Sequence, residues 1–454
     1  MKQRSLFKLA ALGVATLGSV LLGMSAFAAA REQFIPMFTF KTGPAAALGI
    51  ATNAGYLDYW TMLNVRDGGV GGVKLVWEEC ETERKLEKGI ECYEKLKGKG
   101  PTGATVINPI ATDIAYALLK RTAADKIPMM TGGYGRTDTS DGSVFPYVFP
   151  VGTNYWSMNT AKVKYIGMRL GGMSRLQGKT IVNLHHGSAY GRETQEILNV
   201  QAQRYGFKVV HIEVPHPGQV QDEQWKQIVD LKPDWVILRG IGVMNPVALM
   251  TAHKVGYPVS RILGVTWAGA EADVIPAGAA AKGYIAAAAS LPGNNFPVID
   301  DIVKHVYRSG KGQLPDQTAI GNTYYNRGVS GAILVAEAVR TAQGRFGKRP
   351  LTGEEVRWGF ENLNLSDRRI AELGAFGVSQ PLRMSCSNHE GGGTIRFQRW
   401  GGKEWRPVTG WIEGDQSIVR PMIEKSAADY AAKEGFAPRD CAKEGSANRI
   451  ATGR

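Results

Sequence analysis

Past its first thirty residues the sequence has no uncharged apolar stretch approaching the roughly 20 residues that a membrane-spanning helix needs. That excludes a helical span, and the mature chain is expected to be soluble. No run of five basic residues occurs. Lys and Arg are interleaved with acids, as in Glu78-Glu79-Cys80-Glu81-Thr82-Glu83-Arg84-Lys85. The net charge of +13 therefore reads as a solvated surface, not as a site for nucleic acid or an anionic membrane. Cysteine is scarce: there are four, none in a C-x-x-C and none at zinc-module spacing, so no metal site is expected.

Catalytic motifs are missing as well. The chain has no G-x-S-x-G elbow, no phosphate-cradling G-x-x-x-x-G-K-[ST] and no H-E-x-x-H. Gly68-Gly69-Val70-Gly71-Gly72 precedes a strand pattern and reads as a turn, not a dinucleotide fingerprint. His185 and His186 are adjacent, so on a strand end they point to opposite faces, and a structural role is expected for them. The neighbouring acids Glu78-Glu79 and Asp300-Asp301 read as solvated groups. No catalytic residue and no cofactor are expected, and the chain is not read as an enzyme.

What is present begins with an address. Lys2, Arg4 and Lys8 precede an apolar run over 9–22 and the small-residue segment Ser25-Ala26-Phe27-Ala28-Ala29-Ala30, which offers cleavage after Ala28 or Ala30. No Cys stands near that point, so a lipid anchor is not expected. Cleavage leaves about 424 residues with a net charge of +10, more than one core usually supports, so two domains are expected. In an oxidising compartment four distant cysteines read as two disulfides. Cys80 with Cys92 is the natural first pair because it closes a short loop, and Cys386 with Cys441 would pin the C-terminal tail. Free buried thiols are the alternative.

Short β-branched runs alternate with longer amphipathic ones. Strands are predicted over 34–38, 73–77, 105–108, 128–131, 180–184, 209–214, 235–239, 262–265 and 283–287. Helices are predicted between them, among them 51–65, 83–97, 112–124 and 156–170, and later 298–308, 322–342 and 353–362. Strands and helices in this order imply right-handed βαβ crossovers and parallel sheets, with ligands beyond the carboxyl ends of the strands. An extended break near 148–153 separates two such series. A hairpin is predicted from 394–400 and 404–411, and from Ser426 onward a surface helix followed by a loose end.

Several segments now stand in a telling order: Thr42-Gly43-Pro44; Asn64 through Leu75 with Gly68, Gly69 and Gly71; the acid-rich turn Glu79 to Thr82; Tyr190-Gly191; and Gln224-Trp225 leading to Pro233-Asp234-Trp235-Val236. Together they resemble the periplasmic solute-binding proteins of branched-chain amino-acid-type ABC importers (type I, leucine/isoleucine/valine-binding-like), over nearly the whole mature chain. The resemblance implies an α/β protein of two lobes, each a mostly parallel sheet flanked by helices, joined by extended crossovers. Residues 1–30 would be the signal peptide, 31–151 with about 290–365 the first lobe, and 152–289 with about 366–415 the second. Residues 416–454 would form a C-terminal extension.

It also implies a ligand site. Pro109, Ala111 and Thr112 stand where the family grips a ligand carboxylate at a helix start. Gly133 and Tyr134 occupy the next loop, Tyr190 matches an aromatic that closes over the ligand, and Tyr324 and Leu48 match further pocket walls. Trp267 and Glu271 lie on the loop where the family places an acid for an α-amino group. The implied role is a periplasmic receptor, expected to be a monomer, that closes by a hinge on a branched-chain or related amino acid and hands it to an ABC permease. Should Glu271 fall short of the cleft, an aromatic or short-chain carboxylate, or an amide or urea, is expected instead. A ligand sensor for a signalling partner is the alternative of another class.

Overall fold

The computed structural model describes residues 31–444. The expected signal peptide and the last ten residues of the expected C-terminal extension lie outside them.

β1 (Glu32–Thr39) is buried along seven of its eight residues, as suits a strand covered on both faces of a parallel sheet. It pairs in parallel with β2 (Lys74–Glu81), Phe34 opposite Val76. On its other side runs 105–107, where Thr105 N–H donates to Phe34 O at 3.0 Å and Ile107 N–H to Pro128 O at 2.9 Å. This predicted strand proves to be extended chain with one isolated bridge, Ile107 to Met129, because Pro109 lacks the N–H to continue the ladder. β3 (Met129–Met130) and β4 (Val148–Phe149) complete the first sheet in parallel.

The helices predicted between these strands form at Ala46–Asp67, Leu86–Leu96 and Thr112–Asp125. The first is buried along most of its length because a second long helix, Thr323–Phe346, lies against it. Glycine permits that approach: a Cβ on Gly55 would come within 2.2 Å of Tyr325 O, and one on Gly328 within 2.1 Å of Thr52 O.

The second sheet is built around β5 (Thr180–His186), flanked in parallel by β6 (Lys208–Val214) and β7 (Trp235–Arg239). β8 (Ile262–Gly264) and β9 (Ile285–Ala288) extend it in the same sense. β10 (Asn364–Leu365) and β11 (Leu382–Arg383) form a separate antiparallel pair. β12 (Thr394–Trp400) then joins the edge at β9, antiparallel. The predicted hairpin is present but its second arm is broken in two: β13 (Trp405–Pro407) and β14 (Ile412–Glu413) each pair with β12. The passages between the sheets are bonded to one another, Gly152 N–H to Glu390 O at 2.7 Å and Leu291 N–H to Gly377 O at 2.9 Å.

Both disulfides form, Cys80–Cys92 and Cys386–Cys441, with Cα–Cα separations of 5.7 and 5.6 Å. The tail departs from expectation. Its helix begins earlier, spans Gln416–Glu434, and buries Ile418, Val419, Ile423, Ala427 and Ala431. The described chain beyond it, 435–444, is tied down: Arg439 N–H donates to Ser143 O at 2.9 Å, two residues before the Cys441 bridge.

Candidate functional site

Loops from the carboxyl ends of strands in both sheets meet across a cleft, as the parallel topology dictates. They enclose an outer cavity of about 640 Å³, within the range of small-molecule sites. Arg84, Ala111, His186, Ser188 and Tyr190 are among its walls. A smaller chamber of about 70 Å³, called the inner one below, adjoins it, lined by Gly133, Tyr134, Trp267 and Arg327 together with Thr52 and Thr153. The two share a partition in the chain itself, since Ile110 lines the inner chamber and Ala111 the outer cavity.

The cleft is closed by direct bonds between the two sheets' loops. Trp267 Nε1–H donates to Gly133 O at 3.0 Å, Val243 N–H donates to Pro44 O at 3.1 Å, and Tyr116 O–H donates to the Glu193 carboxylate.

Gly133, Tyr134 and Trp267 thus meet at one chamber, and Ala111 and Tyr190 at the other. Thr112 lines neither space and is buried, its hydroxyl 3.2 Å from Tyr155 Oη and accepting from Gly135 N–H at 3.4 Å. Leu48, Pro109, Glu271 and Tyr324 line neither space. Leu48 is packed in the first-sheet core at 1% exposure. The Tyr324 hydroxyl lies 2.7 Å from an Asp273 carboxylate oxygen and 3.0 Å from Trp267 O. Glu271 is turned away: its carboxylate accepts from Thr323 N–H at 2.8 Å. That N–H opens the Thr323–Phe346 helix and has no partner within the helix, so the nearest acid takes it.

The groups that dominate the site electrostatically are arginines absent from the expected set. Arg84 donates to Ile110 O at 2.6 Å, and burial lowers its pKa. Arg327 donates to Gly132 O at 3.1 Å and stacks on Trp267 with its guanidinium carbon 3.3 Å from the ring centroid. Burial pushes it down to about 10, so it stays charged at neutral pH. Arg239, at 1% exposure, donates to Tyr190 O at 2.8 Å. It sits between the rings of Tyr155 at 4.0 Å and Tyr190 at 4.5 Å, and its Nη2 has no partner. Among the described residues none of the three forms an ion pair. No Asp or Glu lines the inner chamber. The outer cavity does hold acids, Glu83 and Asp113, and the charge of Asp113 acts on Arg84; the inner chamber pairs Arg327 with no acid, and a cation withdrawn from water without a counter-charge is costly.

The two histidines part company as strand geometry requires. His185 is buried and faces Gln195. His186 reaches the outer cavity, 2.9 Å from Ser188 Oγ and 3.1 Å from His216 Nδ1. Burial, helped by the charges of His216 and Arg84, pushes it down to about 4 and leaves it neutral at neutral pH.

Sequence similarity bears on the same two-lobed frame. The pattern of the periplasmic binding protein family matches residues 32–404. The chain belongs to that family. Among solved structures, this binding protein is 46% identical to a protein of the Pseudomonas fluorescens group described as an ABC transporter permease, over 90% of this chain and 99% of that one, with a TM-score of 0.85. A branched-chain amino acid ABC transporter protein from Thermus thermophilus, with bound valine, is 21% identical over 86% of this chain and 98% of that one, with a TM-score of 0.72. A solute-binding protein from R. palustris in complex with benzoate is 16% identical over 85% and 98%, with a TM-score of 0.64. No curated protein sequence matches the chain. The chain is thus a periplasmic binding protein with the two-lobed fold of the Thermus thermophilus and R. palustris proteins. Its family is extracytoplasmic, and among the described residues no helix is long and apolar enough to cross a membrane.

Proposed function

We propose that the protein is the exported solute receptor of an ABC importer, working without turnover, and that its solute is a small carboxylate with no ammonium group. The observation that carries this reading is the pair of arginines in the cleft, Arg84 in the outer cavity and Arg327 in the inner chamber, neither of them bonded to a carboxylate among the described residues. An amino acid would bring an ammonium group into a closed cleft whose acids are already engaged: Glu271 with Thr323, Glu83 with Lys85 and Lys88, and Asp113 in the field of Arg84. A buried ammonium without an acid is strongly disfavoured. A carboxylate meets Arg84 in the outer cavity and gains charge-assisted hydrogen bonds.

Within this reading the lobes are 31–151 with about 290–365, and 152–289 with about 366–415. A signal peptide over 1–30 directs export, and the monomer delivers solute to an inner-membrane permease. The solute favours the closed form by touching both lobes at once, Arg84 from one and Ser188 or Tyr190 from the other. Relatives of the same fold bind valine, benzoate and 4-hydroxybenzoate, so the scaffold accepts carboxylates with and without an amine.

Thermal melts with benzoate, butyrate, succinate, valine, leucine and urea test the reading. Carboxylates lacking an amine should raise the melting temperature. Saturation at about 100 times the dissociation constant adds about 2.7 kcal/mol. A response to valine or leucine with none to the plain acids would refute it.

A further inference from the structure

Beyond β14 the chain lies against both lobes. Its helix, Gln416–Glu434, starts on the second. Asp415 N–H donates to Thr160 Oγ1 at 2.8 Å, Tyr205 O–H to the Asp415 carboxylate at 2.9 Å, and Gln416 Nε2–H to Ser157 Oγ at 3.1 Å. Ser157 and Thr160 lie on the helix Tyr155–Leu170 and Tyr205 ends the helix Gln195–Tyr205. Those helices lead into β5 and β6 of the second sheet. The same helix finishes on the first lobe. Ser426 O–H donates to the Asp138 carboxylate at 2.7 Å, the ring of Tyr430 lies 4.8 Å from that of Phe145, and Glu434 pairs with Lys120 at 2.6 Å. Asp138 and Phe145 stand between β3 and β4 of the first sheet, and Lys120 is on the helix Thr112–Asp125.

The far end is held by a covalent bond. Cys441 is bridged to Cys386, and Cys386 stands on the first lobe. His389, three residues on, donates its N–H to Ser140 O at 2.9 Å and stacks on Phe149 of β4, ring centroids 4.1 Å apart. From there the chain enters the second sheet as β12 and returns to the first lobe as the helix. The bridge, joining residues 55 apart, therefore closes a covalent ring that crosses between the lobes twice. The helix has 19 residues, about 28 Å at 1.5 Å per residue, and does not stretch. For the lobes to part it must peel away from one of them, and the bridge keeps it on the first.

We infer that 415–441 is a strap that limits how far the lobes open, fastened to the first lobe through Cys386–Cys441 and to the second through the hydrogen bonds of Asp415 and Gln416. None of its residues lines either cavity of the cleft. The strap therefore acts on the balance between open and closed forms, not on contacts with solute. It goes beyond the receptor reading and needs no solute to be tested.

Hydrogen exchange of the full chain without solute reads the opening. Val243 N–H donates to Pro44 O across the cleft, so its exchange reports separation of the lobes. Thr105 N–H, bonded to Phe34 O, and Asp234 N–H, bonded to Thr180 O at 2.8 Å, report the two lobes individually. With Cys386→Ser and Cys441→Ser together, the Val243 amide should exchange at least about tenfold faster, and by a larger factor than Thr105 or Asp234. Thr160→Val with Tyr205→Phe keeps the bridge and loosens the other end. It should speed Val243 about fivefold, the scale of a hydrogen bond. Val243 exchange that is unchanged in the cysteine variant, or sped no more than that of Thr105 and Asp234, overturns the inference. Should that variant not fold, unchanged Val243 exchange in Thr160→Val with Tyr205→Phe overturns it. Either failure leaves the carboxylate reading standing, since the thermal melts decide that separately.

Discussion

Glu361 and Arg327 are both enclosed by protein, but their surroundings could hardly differ more. Around Glu361 every charge is answered. Arg357 donates to both its oxygens at 2.9 Å, Arg439 donates at 2.8 Å, and His389 Nε2 lies 3.3 Å away. Burial works against ionisation there, but the hydrogen bonds from His389 and Arg439 and the charges of His389 and Arg357 outweigh it and hold the carboxyl at about 2. The C-terminal segment that brings Arg439 is closed covalently by Cys386–Cys441. In the cleft, Arg327 is answered only by the Gly132 carbonyl and the face of Trp267, and Arg84 hydrogen-bonds only to Ile110 O, with Asp113 acting on it through its charge. One region spends its charges on holding the fold together, and the other leaves them unspent for something that arrives from outside.

Breaking each side separately should give opposite outcomes. Glu361→Gln removes the charge that answers the half-buried Arg357 and Arg439 beside the buried His389 and should cost about 3 kcal/mol of stability by denaturant unfolding, with solute affinity unchanged. Arg84→Gln should do the reverse. Its melting temperature should hold or rise, because an unpaired charge has gone, while benzoate or succinate affinity falls by about ten- to a hundredfold in titration. Loss of affinity without loss of stability is the signature to look for, and equal losses in both variants would erase the contrast.

A third prediction uses acid. Burial pushes Asp273, beside Trp267 and Tyr324, up to about 7, against the bonds it accepts from Asn245, Ala270 and Tyr324. Its folded pKa lies above the unfolded one, so its contribution is fully present below about 4 and is lost as pH rises through 7. Glu361 is the opposite case: its contribution is present above about 4.5 and is lost as pH falls toward 2. Relative to Asp273→Asn, the unaltered protein should therefore gain stability between pH 7 and 4, on the order of 2 kcal/mol. Relative to Glu361→Gln it should lose stability between pH 4.5 and 2. Curves that run parallel in either comparison would contradict the assignment.

The frame was legible because it rests on local periodicity. The alternation of strands and helices, the glycine turn before β2 and both cysteine pairs all depend on short-range pattern or on compartment. So, through family resemblance, were Tyr134, Tyr190 and Trp267 as residues of the cleft loops. The deciding charges were hidden. Arg84 sits in a run of eight residues carrying six charges, and only the fold reveals that Glu83 pairs with Lys85 and Lys88 while Arg84 beside it bonds to Ile110 O in the cavity wall. Arg239 carried a signal that could have been used, a charged residue ending the otherwise apolar strand Trp235–Arg239. Arg327 follows Tyr324 by one helical turn, and nothing local distinguishes it from a solvated helix residue. Glu271 was placed by its distance from the expected acid position, but its partner lies 52 residues away. The tail defeated sequence reasoning for the same reason: Arg439 meets Glu361 across 78 residues.

The two cysteine bridges also set an order of maturation. Cys80 and Cys92 are separated by 12 residues and Cys386 and Cys441 by 55. In a chain that emerges from its amino terminus, the first pair can oxidise while most of the protein is still being delivered. The second must wait for Cys441, near the very end. The segment it fastens also brings Arg439 to Glu361 and to Ser143, so this bridge can close without strain only where distant parts of the molecule stand together.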